Sequence, residues 1–197
     1  MTRFALLIWA YQQTGAATTV ALLGFFGFLP YVLLSPVAGV WVDRLDRRKV
    51  MLLADLGSGI VTMSLLALFF TNSLALWHLY AAEVLTAAFD AFQGPAYSAA
   101  TTTLLPKEQY ARASGLRSMA DDGARVLAPF LAGLLIGAIG VEGVLMVDVL
   151  TFLIAIVTLV VVTVPNINAH AQKEERRFLS EMRVGFDYIV QRRGLLG

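Results

Sequence analysis

Cysteine is absent from the 197 residues, and only two histidines, His78 and His170, are present. Without a thiol there is no disulfide framework, no thiolate nucleophile and no cysteine-based metal site. The two histidines fall in separate polar regions, so neither a histidine metal pair nor a catalytic triad is expected. No glycine-rich phosphate loop occurs, so nothing in the sequence points to direct use of ATP. No enzyme constellation is visible, and no cofactor and no nucleic-acid partner are expected. Charge itself is scarce. Charged residues make up 15% of the chain, against about 25% in soluble domains. From Phe4 to Val42 there is none. The connections near 12–17, 71–76 and 140–143 contain no Lys or Arg.

What fills the space left by charge is hydrophobic sequence, 58% of residues, with a mean hydropathy of +0.71. Much of this surface must therefore face lipid. The apolar runs cover about 18–42, 50–70, 76–104, 113–139 and 143–164. Each is long enough to cross a hydrocarbon core of about 30 Å at about 1.5 Å per helical residue. An earlier run, Phe4–Tyr11, rises only about 12 Å. It has no cleavage-like ending, so it is read as the second part of a helix whose first part is absent rather than as a signal peptide. Gln12-Gln13-Thr14-Gly15 is read as the turn after it. Short connections favour antiparallel neighbours, with the runs flanking 43–49 forming a hairpin. The expected organisation is a transmembrane bundle over 1–164, its spans at about 3–12 (partial), 18–42, 50–70, 76–104, 113–139 and 143–164. A linker over 165–197 follows, containing an amphipathic helix whose stripe is Phe178, Leu179, Met182, Phe186, Ile189 and Val190.

Basic residues set the orientation. All but Arg3 and Arg125 lie in the 42–50 loop, in 105–117 or after Val164. By the positive-inside rule, loops 43–49 and 105–117 and the tail 165–197 are cytoplasmic, in a multi-pass cell-membrane protein. Pro30, Pro36, Pro95 and Pro129 fall inside spans, where they kink helices or serve ordinary packing. Gly133 and Gly137 form a small-xxx-small pair suited to close helix approach.

Ionisable groups inside apolar runs are costly and mark function by default. Glu83, Thr86, Asp90 and Gln93 share one run, and Glu83 and Asp90 lie on nearly one helix face, about 10 Å apart along the axis. A carboxyl in a low-dielectric cavity can exchange a proton near neutral pH. The alternative places Glu83 at the outer interface and leaves Asp90 only a pairing role with another helix. Asp148 is a further candidate for coupling or substrate contact. Asp55, five residues into its run, reads rather as an interface or helix-end group. Arg125 can bind an anionic group or pair locally with Asp121 at i,i+4.

Gly39, Asp43, Arg44, Arg47 and Arg48 stand in the spacing G-x-x-x-D-R-x-G-R-R/K, with Asp46 in place of the second glycine. This loop resembles the signature between helices 2 and 3 of the major facilitator superfamily. Gly123, Pro129 and Gly133 resemble the fifth-helix exporter signature of that superfamily, with Ala128 and Ala132 replacing glycines. The whole chain looks like the amino-terminal half of a multidrug- or siderophore-exporter-like member. The resemblance implies an all-α, six-helix half-fold with an incomplete first helix. It also implies secondary active export of a small amphipathic molecule by alternating access. Proton coupling is one expectation, but the fourth-helix arginine of many proton-coupled members has no counterpart, so the coupling ion stays open. In the family, the acid at Asp43 is a gating contact to the other half. The implied partners are a small-molecule substrate, the bilayer, and a missing carboxy-terminal six-helix half or a partner subunit. The alternative is a truncated, non-transporting membrane module.

Overall fold

The computed structural model describes residues 1–161, and within them every side chain but those of residues 43, 103, 104 and 159–161. The linker and amphipathic helix expected after Val164 lie outside the described residues, as does the Asp43 side chain. Among the described residues there are helices and no strand: α1 (Thr2–Thr14), α2 (Ala17–Arg44), α3 (Arg47–Phe70), α4 (Leu76–Leu104), a 3₁₀ turn (Lys107–Gln109) and α5 (Tyr110–Val161). Ala17–Val42, Arg47–Phe70 and Lys107–Thr158 are long and apolar enough to cross a membrane. α4 has the length, 29 residues or about 43 Å, but carries Glu83 and Asp90 inside it. The chain is an all-α membrane protein.

Helix ends follow local chemistry. Gln12–Thr14 form the last turn of α1 rather than a loop, because the cap falls one residue later. Gly15 takes the left-handed conformation (φ 64°) and its N–H bonds the Tyr11 carbonyl at 2.7 Å. The charged loop is likewise shorter than 43–49. Helix persists to Arg44 and restarts at Arg47, because the Asp46 carboxylate accepts the N–H groups of Arg48 (3.0 Å) and Lys49 (3.4 Å) as an N-cap. At the start of α4, His78 Nδ1 accepts the Ala75 N–H at 3.0 Å. α5 runs through the two last expected spans but breaks between them at Gly140 (φ 74°, ψ 178°), a conformation that is essentially glycine's alone.

The hairpin expected between α2 and α3 is not a packed pair. Each packs mainly on α4, which lies between them. Ala82, Ala87, Ala91, Ala96 and Ala100 of α4 are all buried, and these small side chains let two neighbours approach one helix closely. α3 also packs on α5, and α1 packs on α5 and α2. Two glycines of α3 set its approach. A Cβ on Gly57 would overlap the Phe89 ring, and one on Gly59 the Phe152 ring. By contrast, nothing lies within 4 Å of where a Cβ on Gly133 or Gly137 would stand, so among the described residues no helix uses that pair.

The larger apolar cluster joins Ala5, Leu6, Ala10, Leu23, Leu65, Leu79, Ala82, Val144 and Leu145. It draws on α1 to α5 near the end of the bundle that carries the connections without Lys or Arg. A smaller cluster, Val42, Val50 and Ala96 with Phe92, sits behind the charged loop.

Candidate functional site

Between these clusters lies a cavity of about 730 Å³, within the range of small-molecule sites. Toward the connections without Lys or Arg it ends on Leu23, Leu65 and Leu79 of the larger cluster. Its walls are mostly apolar, with Phe4, Leu7, Phe28 and Val61 exposed to it. Set into these walls are four carboxylates, Asp55, Glu83, Asp90 and Asp148, and one guanidinium, Arg3.

Helix register explains why one cation serves two acids. From the end of the bundle that holds the 12–17 and 71–76 connections, Arg3 is about 17 Å down α1. Glu83 and Asp90 are about 10 and 21 Å down α4. The arginine thus falls between them in depth. Its Nε lies 3.2 Å from Glu83 Oε2, and its terminal nitrogen donates to Asp90 Oδ2, also at 3.2 Å. The remaining carboxylates have neutral donors: Gln93 Nε2 donates to Asp55 Oδ1, and Thr62 Oγ1 to Asp148 Oδ2 at 3.3 Å. Counted in their ionised forms, the four acids of the cavity outnumber its described side-chain cations by three. The Glu83 carboxylate also needs space on α2. A Cβ on Gly27 would stand 2.6 Å from Glu83 Oε2, so glycine at that position is what lets the acid reach Arg3.

Glu83, Asp90 and Asp148 therefore meet in one cavity, together with Thr86 and Gln93. Asp55 is placed differently from its expectation. It lines the cavity, where α4 carries Gln93 across to it. Arg3 and Gly27 were missed. The sequence did hold a signal for Arg3: a single arginine at the start of an apolar run, outside the side on which basic residues collect.

Arg125 does not join the cavity. Its side chain is 83% exposed, 3.9 Å from Asp122 rather than paired with Asp121. Asp121 instead lies 3.6 Å from Arg117, which is held nearby by stacking over Tyr97 and by donating to Ser98 Oγ. Around Gly123 and Gly133, as around Gly39, no atom lies within 4 Å of the point where a Cβ would stand, and Pro129 is half-buried within α5. In the charged loop, Arg47 reaches over to α4 and donates to the Ala99 carbonyl at 3.0 Å. This ties the start of α3 to the end of α4. Arg44 closes the last turn of α2, where a cation complements the helix dipole. Among the described residues no group of three His, Cys, Asp or Glu is placed to hold a metal ion.

The sequence model of the Major Facilitator Superfamily matches residues 1–196. Among curated proteins, the chain is 30% identical to "Macrolide efflux protein A" of Streptococcus pyogenes over 98% of its own length and 48% of that protein. It is 31% identical to the protein of the same name from Enterococcus faecalis, over 92% of this chain and 56% of the relative. It is 27% identical to "Uncharacterized MFS-type transporter YfiS" of Bacillus subtilis (strain 168), over 76% and 35%. The chain thus spans about half the length of the macrolide efflux relatives it matches. No solved structure matches it significantly. Family membership makes this a transporter domain rather than an enzyme. With nearly its whole length covered by the match, the chain belongs to the Major Facilitator Superfamily.

Proposed function

We propose that this chain is the amino-terminal six-helix half of a secondary active exporter that moves a small amphipathic molecule by alternating access. The observation that carries this reading is the cavity of about 730 Å³, walled by apolar side chains and set with four carboxylates. Such acids are expensive at membrane depth and persist where they serve a pathway. The names of the two macrolide efflux relatives support export and a bulky, largely apolar cargo. In this reading the cargo path lies between two halves, and the partner of this half is the second six-helix half or a partner subunit. The charged loop and residues 105–117 face the cytoplasm, as the distribution of basic residues supports. Asp43, Arg44, Arg47 and Arg48, with Gly39, form the gate to the other half. Asp90, Glu83 and Asp148 take up the proton or cation that drives transport. Gly123, Pro129 and Gly133 shape the fifth helix, while Arg125, outside the cavity, serves a local charge contact.

Efflux of a macrolide from cells producing the full-length protein, normalised to its membrane level, tests this. Asp90→Asn keeps the shape of the side chain and removes its charge. Efflux is expected to fall sharply at unchanged abundance, and Asp90→Glu to retain part of it. Unchanged efflux in Asp90→Asn would remove this residue from the mechanism. Wild-type cells that expel no more macrolide than an empty-vector control would remove macrolide export from the reading.

A further inference from the structure

Arg3 is shared between two acids that stand about two helical turns apart on α4, Glu83 and Asp90, each at 3.2 Å. Its side chain is 53% exposed, and Glu83 and Asp90 are 15% and 38% exposed, so the cation lies along the cavity wall rather than locked in the core. The helix that carries it packs on α2 and α5, and Arg3 reaches α4 from the cavity side. Such a guanidinium can leave its carboxylates if another positive charge takes its place. Departure without a replacement leaves two carboxylates uncompensated in an apolar setting, which is costly. A second cation set beside an undisplaced Arg3 faces like-charge repulsion. Exchange of one cation for another avoids both penalties.

We infer that Arg3 is a resident counter-cation that competes with the positive charge of the cargo for Glu83 and Asp90. The inference rests on the reading of this cavity as a cargo site, and it names the cargo class as an amphipathic organic cation. Arg3 then acts against cargo affinity, and it sets selectivity: a neutral molecule of equal size cannot take over the two carboxylates and gains nothing when Arg3 is removed. By linkage, cargo charge and the Arg3 contacts weaken one another by the same factor.

The sign of the effect separates this role from a merely structural ion pair. Binding is measured on the purified full-length protein with tetraphenylphosphonium, whose charge does not depend on pH, and with triphenylphosphine oxide as a neutral control of similar bulk. Arg3→Gln is expected to bind tetraphenylphosphonium roughly 5- to 100-fold more tightly than the wild type, the range of ordinary coupling between sites. The neutral probe should bind both alike. The gain should disappear when Glu83→Gln and Asp90→Asn are added. Equal or weaker cation binding by folded Arg3→Gln overturns the inference, as does a failure of every form to bind the cation.

Arg3→Lys provides a second measure where Arg3→Gln does not fold. An ammonium keeps the charge but lacks the forked geometry that engages both acids, so a smaller gain of the same sign is expected. Affinity equal to the wild type in this variant also overturns the inference. Cellular efflux is scored separately. If the binding gain is present and efflux is absent, the transporter reading fails and the competition at Glu83 and Asp90 stands.

Discussion

Glu83 owes its position to a glycine on another helix. Any side chain at position 27 would press on Glu83 Oε2, the oxygen that receives Arg3 Nε at 3.2 Å. The atom that must yield is the end of a flexible side chain, so Gly27→Ala is expected to fold and to reach the membrane at wild-type abundance. The ion pair with Arg3 should nevertheless loosen, and tetraphenylphosphonium binding should rise part of the way toward that of Arg3→Gln. Binding identical to the wild type would show that the carboxylate has room to move without losing its arginine. Asp46 makes a second point at this scale. It replaces the glycine usual in the loop signature, and its carboxylate caps α3 through two backbone N–H groups. A departure from the family pattern is therefore accounted for by local hydrogen bonding.

Among the elements, α4 is the organiser. Its alanine face takes α2 on one side and α3 on another, and its polar residues turn toward the cavity. α3 in turn uses Gly57 and Gly59 to bring the rings of Phe89 and Phe152 onto its backbone. Adding a methyl at either position overpacks a ring that has little freedom to move. We expect Gly57→Ala and Gly59→Ala each to destabilise the bundle by about 1–3 kcal/mol, read as a lower melting temperature in detergent. Gly133→Ala and Gly137→Ala, where nothing lies within 4 Å, serve as the comparison and should leave the melting temperature of this half almost unchanged. Equal losses at all four positions would mean that helix approach at Gly57 and Gly59 is looser than the distances imply.

At the scale of the whole molecule, the two ends of the bundle differ in kind. One end closes on an apolar cluster beneath connections that hold no basic residue. The other carries Arg44, Arg47, Arg48 and Lys49. Leu45 and Ser73 are both exposed and sit at opposite ends. Single cysteines at these positions, in a chain that has none of its own, should label with a membrane-impermeant thiol reagent from opposite sides. Leu45→Cys is expected to react only from the cytoplasmic face and Ser73→Cys only from outside. Labelling of both from one face would overturn the arrangement of spans between them.

The sequence by itself determined the membrane setting, the helices and their order, because hydrophobic run length and loop charge act locally and need no partner to be read. The break between the last two expected spans fell where Gly140 supplies it, and Gly39 through Arg48 already carried the family. It also singled out Glu83, Asp90 and Asp148, since an acid in an apolar run is conspicuous wherever the helix finally packs. Only the tertiary structure decided what those acids meet. That Arg3 lies between Glu83 and Asp90 depends on two helices running side by side at matching depth. That Asp55 belongs to the cavity depends on Gln93 coming across from α4. That α2 and α3 are separated by α4, rather than paired as a hairpin, depends on where the small residues of α4 turn. Each is a relation between segments far apart in the chain, set by helix rotation and axial offset, which the hydrophobic pattern of a nearly uniformly apolar helix leaves undetermined.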